Sequence, residues 1–184
     1  FIRPGSMVLK IYKHSVIREN RLDFPEHIFY EDNCAGPLWS LYFRHFARVE
    51  EPLYYYYQHA VSTVHHITEE KCRDRMKAAE LLYTGCRDRG FLAEYRQEIE
   101  YRFTELYYAI TLFSYMSGVK KPKISFIREL RQGTEKYFPE FDQNKYYLQH
   151  TGVEEQKLIA MQRKSDLRFY LYYRLRQFVW KLRA

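Results

Sequence analysis

Apolar residues recur at helical spacing over most of the chain. Within residues 69–88, Cys72, Met76, Ala79, Tyr83 and Cys86 follow one another at intervals of 4, 3, 4 and 3. That is one face of a helix opened by Thr68, with Glu69 and Glu70 in its first turn, and closed by Gly90. Leu92, Ile99, Phe103, Leu106, Ile110 and Phe113 mark a longer helix running to Gly118, so the two are expected to form an antiparallel hairpin around residues 87–91. Residues 124–137 make a third amphipathic helix despite Gly133, ended by Phe138 and Pro139. A polar passage with Tyr146, Tyr147 and Leu148 leads to residues 153–161 and then to the tail.

Upstream of residue 67 the pattern changes. Pro25 pushes Phe24 toward extended geometry, and 27–30 is rich in β-forming residues, which predicts a short strand ending at Glu31. Residues 49–57, with Pro52 near the start and four tyrosines at 54–57, predict a second strand. Between them Leu38, Leu41, Tyr42 and Phe46 mark a helix beginning near Pro37, while 9–19 suit a short helix or a strand–helix piece. Residues 58–66 read as a polar connection. The expected fold class is therefore α+β and predominantly helical, a few short strands from Phe24 to Tyr57 packed on a C-terminal helical bundle.

A chain of 184 residues supports one core, or one core with an appended helical region. Residues 1–6, ending in Gly5 and Ser6 before Met7, look vector-derived. The formal charge of +7 favours anionic partners, and it is concentrated: residues 163–184 hold seven basic side chains and one acidic, Asp166. Charge and rings alone give no recognisable nucleic-acid motif, so no nucleic-acid partner is expected. Cys34, Cys72 and Cys86 form neither a metal-type pair nor a disulfide framework, which suits a reducing compartment and small apolar roles. Cys72 and Cys86 stand about 21 Å apart along one helix, beyond bridging range. There is no signal-peptide pattern and no apolar run near 18 residues, so a spanning protein is not expected.

At 100° steps the tail helix has two apolar faces. Leu167, Leu171, Leu175, Phe178, Val179 and Leu182 fall on one side, and Phe169, Tyr173 and Trp180 roughly opposite. Arg176 and Arg183 border one edge of the aromatic stripe, Arg174 and Lys181 the other. Such a stripe suits the headgroup region of an anionic membrane; the alternative is a helix buried on both sides.

The adjacent carboxylates Glu31 and Asp32 are the chief candidates for chemistry. On an extended backbone they face opposite sides, so one at most enters a given cleft. The alternative is that Asp32 or Asn33 only caps the following helix. His66 and Glu70, four residues apart, invite a metal reading, but His65 and His66 precede the helix and no cysteine joins them, so no metal site is expected.

The ordered set Lys10-Ile11-Tyr12-Lys13, Asn20 to Glu26 with Phe24-Pro25-Glu26, Tyr30-Glu31-Asp32-Asn33, Pro52-Leu53-Tyr54-Tyr55-Tyr56, His59 and Ser62-Thr63 resembles the acceptor-side half of family 2 glycosyltransferases, enzymes of GT-A type that build capsular and cell-wall polysaccharides. The resemblance covers residues 9–66, about a third of the chain, and 67–184 look like a variable C-terminal extension. It implies a partial GT-A remnant at 7–66 and inverting transfer of a sugar from a nucleotide-sugar donor to a glycan acceptor. Asp32 matches the position of the general base, supported by Glu31; a neighbouring carboxylate and partial desolvation make a carboxylate a better base. His59 and Ser62 match positions that contact the donor diphosphate, and Lys10 and Tyr12 are further substrate-binding candidates. The family's βαβ donor region and Asp-x-Asp motif, which hold Mg²⁺ or Mn²⁺, have no counterpart before Leu9. The chain is therefore expected to be a fragment, inactive alone, cytoplasmic or at the inner face of the membrane, with exposed strand edges that favour a homodimer. The competing expectation is a non-enzymatic helical module that docks on a membrane surface or protein partner through the tail.

Overall fold

The computed structural model describes residues 1, 6–55, 57 and 66–183. In chain order it has a 3-10 turn (Met7–Leu9), α1 (His14–Glu19), α2 (Glu31–Ser40), α3 (Glu69–Asp88), α4 (Arg96–Phe103), a π-helical turn (Thr104–Ile110), α5 (Thr111–Gly118), α6 (Ile124–Tyr137), a second 3-10 turn (Phe141–Gln143), α7 (Lys145–His150), α8 (Val153–Lys164) and α9 (Asp166–Arg183). No strand occurs among the described residues. The α+β expectation, with its strands left over from a GT-A sheet, is thereby corrected to an all-helical fold. Strand-edge dimerisation loses its basis with it.

The backbone gives the reason. His27 and Tyr30 take left-handed φ values of 57° and 67°, which a strand cannot contain. The β propensity of 27–30 yields to packing of Phe29 and Tyr30 on α3. Tyr54, Tyr55 and Tyr57 are exposed, with no neighbouring strand among the described residues to pair with. Helix α2 starts at Glu31, well before Pro37, which lies inside it. Pro37 cannot donate to the Asn33 carbonyl, and the helix ends three residues later, where the Ser40 hydroxyl donates to the Pro37 carbonyl at 2.6 Å.

Helix α3 follows the sequence pattern closely. Thr68 Oγ1 accepts the Lys71 N–H at 3.2 Å, and Gly90 beyond the last turn takes φ of 79°. Cys72, Met76, Ala79, Leu82 and Cys86 are buried on its inner face. The next helix runs unbroken from α4 through the π turn into α5, and the π turn shifts its phase. Ile99, Phe103 and Leu106 are buried as the spacing predicts, but beyond the turn Thr111, Leu112, Tyr115 and Met116 are buried while Ile110 is 40% exposed. A wider turn rotates everything after it by about one residue.

Helix α3 packs against α2 and the π turn, α6 against the π turn and α9, α7 against α4, and α8 against α9. Rings fill the centre: Phe103 stacks on Tyr107 at 4.9 Å, Tyr115 on Phe126 at 4.1 Å, and Phe141 sits edge-on to Tyr108 and Tyr147. Tyr108, fully buried, donates its hydroxyl to Gln162 Oε1 at 3.0 Å, and Gln162 Nε2 donates to the Ile127 carbonyl at 2.7 Å. That chain satisfies the polar groups between the central helix, α6 and α8. A smaller cluster of Met7, Leu22, Ala35 and Trp39 lies beside the main core, with Leu38 packed against both.

Candidate functional site

Glu31 and Asp32 form the first turn of α2, where unpaired backbone N–H groups suit acidic side chains. Neither is the cap, since Tyr30 occupies the N-cap position and makes no side-chain cap bond. Asp32 is exposed and Glu31 half-buried. Asp32 Oδ1 accepts from Asn33 Nδ2 at 3.1 Å. The Glu31 carbonyl accepts from the Cys34 thiol at 3.0 Å, and burial pushes that thiol up to about 12.

Helix α3 holds this turn in place. The Phe29 N–H donates to Asp74 Oδ2 at 3.2 Å, and Lys71 Nζ lies 5.1 Å from the Phe29 ring. The Arg75 guanidinium sits 4.3 Å over the Tyr30 ring. Arg75 is only 7% exposed, and its Nη1 is buried with no hydrogen-bond partner among the described residues. Sequence reasoning missed Arg75, although a signal was present: positions 72, 75, 76 and 79 share one helix face, and a cation on an apolar face needs a reason.

The segment before the turn is also clamped. Arg89, just after α3, donates to the carbonyls of Asn20 at 2.7 Å and Arg21 at 3.0 Å and to the Tyr42 hydroxyl at 2.9 Å. Leu22 is buried, and Phe24 lies 4.8 Å from Trp39. Tyr12 packs at 5.6 Å on both Trp39 and Phe43, and its hydroxyl donates to Met7 Sδ at 2.9 Å. Burial raises the Tyr12 phenol. Trp39 lies about 10 Å along α2 from Asp32, so Tyr12 supports the far end of the helix. Lys10 Nζ donates to the Ser6 carbonyl at 3.1 Å, and burial lowers its ammonium. His59 and Ser62 fall outside the described residues, as does His65.

No three His, Cys, Asp or Glu side chains among the described residues could hold a metal ion.

The second notable surface is the tail. Phe169 is fully buried, and Tyr173 stacks on Phe113 at 6.2 Å. Trp180, at 67% exposure, borders a groove of about 660 Å³ between α9 and the ends of α5 and α8, lined also by Lys120, Glu155 and Lys181. Arg176 lies 5.6 Å from the Trp180 ring and pairs with Glu154. Arg174 donates weakly to Gln177, and Gln177 Nε2 donates to the Met116 carbonyl at 2.8 Å. Phe169 and Tyr173 of the aromatic stripe therefore turn toward the core, Trp180 stays exposed beside the groove, and the leucine face meets solvent. No described helix is long and apolar enough to cross a membrane.

Comparison with protein-family models, curated proteins and solved structures finds no match to this chain.

Proposed function

We propose that this chain serves as the acceptor-side part of an inverting family 2 glycosyltransferase, with Asp32 as general base and Glu31 as its neighbour. The supporting observation is the conformation of the turn before them. His27 and Tyr30 both hold left-handed backbone without being glycine, and α3 fixes that turn through Asp74, Lys71 and Arg75. Left-handed backbone at such residues costs about 1–3 kcal/mol each and persists where surrounding structure over-determines it, often at functional sites. A helix start needs no such strain, since a serine, threonine or aspartate cap in ordinary extended geometry suffices. Here a tyrosine takes the cap position, which leaves Asp32 one residue inside the helix, exposed and free of capping duty.

In the reaction, the Asp32 carboxylate takes the proton of an acceptor hydroxyl as that oxygen attacks the anomeric carbon and the nucleoside diphosphate departs. His59 and Ser62 are assigned to the donor diphosphate on the resemblance alone. Lys10 and Tyr12 act at one remove, bracing the segment that carries the turn.

The test is a mass-spectrometric screen of the protein expressed from its whole reading frame against nucleotide sugars and glycan acceptors. Transfer with inversion at the anomeric centre is the expected result. Transfer with retention, or none across the donor panel by a folded protein, overturns the reading.

A further inference from the structure

The solvent face of α9 carries Leu167, Leu171, Leu175, Phe178 and Leu182, each 55% to 71% exposed. At 100° per residue these five occupy an arc of about 80°. Monomeric proteins rarely leave so ordered an apolar stripe uncovered, and a contiguous one marks an interaction surface. Arg174 and Lys181 border one edge of it and Arg168 the other, all exposed. Nearby carboxylates are engaged elsewhere: Asp166 with Arg128 and Arg131, Glu154 with Arg176. The stripe is thus an apolar strip between two cationic margins.

We infer that this leucine face of α9 lies in the headgroup region of an anionic lipid surface, parallel to its plane. Charge decides the occupant. A second copy seated on the stripe would set one cationic margin against another, and like charges directly across a seam are destabilising. Anionic headgroups meet both margins favourably while the acyl boundary receives the leucines and Phe178. The opposite face of the helix, with Phe169 in the core, anchors the rest of the molecule to that surface. This inference is independent of the role given to Asp32.

Co-sedimentation with phosphatidylglycerol–phosphatidylcholine vesicles, beside pure phosphatidylcholine vesicles, tests it. The protein is expected to pellet with the anionic vesicles at low salt, to be released at high salt, and to stay in solution with the neutral ones. Arg174→Gln with Lys181→Gln should weaken partitioning roughly 25-fold, at about fivefold per cation. Leu171→Asp with Leu175→Asp should abolish it; both leucines are exposed, so circular dichroism and the thermal midpoint should match the native chain. Equally low pelleting with both vesicle types, or full pelleting by the leucine variant, overturns the inference. So does a dimer that the leucine variant disrupts, without vesicle binding, since it gives the face to a second copy.

Discussion

His27 and Tyr30 share an unusual backbone but differ in what holds it. The His27 side chain is 94% exposed and lies 3.8 Å from Glu26, so its left-handed φ is imposed by the turn that α3 holds rather than favoured by the residue itself. His27→Gly should therefore stabilise the fold, by up to about 1 kcal/mol once glycine's own entropy is subtracted. Urea denaturation checks this, and a loss of stability would reveal an unseen partner. Tyr30 is held by the Arg75 cation, an interaction worth about 2 kcal/mol when desolvated, and Tyr30→Ala should be destabilising by about that much in the same assay. The cysteines offer a chemical check. Burial raises the thiols of Cys34 and Cys86 to about 12 and of Cys72 to about 11, so thiolate is scarce near neutrality. All three should resist iodoacetamide at pH 8 in the folded protein and react once it is unfolded in urea.

Among the helices, α6 and α9 carry the clearest dependencies. Gly133 sits inside α6, where alanine would normally gain about 1 kcal/mol of helix propensity, yet a Cβ there would collide with the Tyr107 hydroxyl. Overpacking of that kind costs about 1–3 kcal/mol, so Gly133→Ala should lower the thermal midpoint, and adding Tyr107→Phe should restore part of it. Asp166, the first residue of α9, is buried against Arg131 and Arg128 of α6. Burial alone would raise its carboxyl, but the hydrogen bonds from Arg131 and Arg128 outweigh it and hold it below the usual range. A carboxyl depressed in the folded state stabilises at neutral pH. That contribution is lost as pH falls through the ordinary aspartate value toward the lower native one. Asp166→Asn should cost about 3 kcal/mol at pH 7 and less at pH 3, below the ordinary aspartate value, measured by urea melts at both. The leucine face of the same helix was legible as a face; its exposure was not, because spacing cannot say which of two apolar sides a neighbour covers.

Across the whole molecule, legibility followed the source of each element's stability. Helix α3 could be read from sequence because its signals are local: a threonine cap, acids in the first turn, an apolar period and a terminating glycine. The start of α2 could not, because its cap is a tyrosine in left-handed backbone imposed by α3, a tertiary effect. The strands expected at 27–31 and 49–57 rested on the β propensity of rings, which reflects packing on a neighbouring sheet that the described residues do not contain. The burial beyond Ile110 escaped the pattern because a π turn resets the helical phase. At the candidate site, adjacency alone drew attention to Glu31 and Asp32, whereas the residues that fix them, Asp74 and Arg75, lie some forty positions away in sequence. The central claim is that Asp32 is a base on a turn fixed from α3. It is tested most directly by comparing Asp32→Asn with the native protein, expressed from the whole reading frame, in the transfer assay. The account predicts a fall in kcat of roughly 10²–10⁴-fold with nucleotide-sugar affinity unchanged; turnover at the native rate would contradict it.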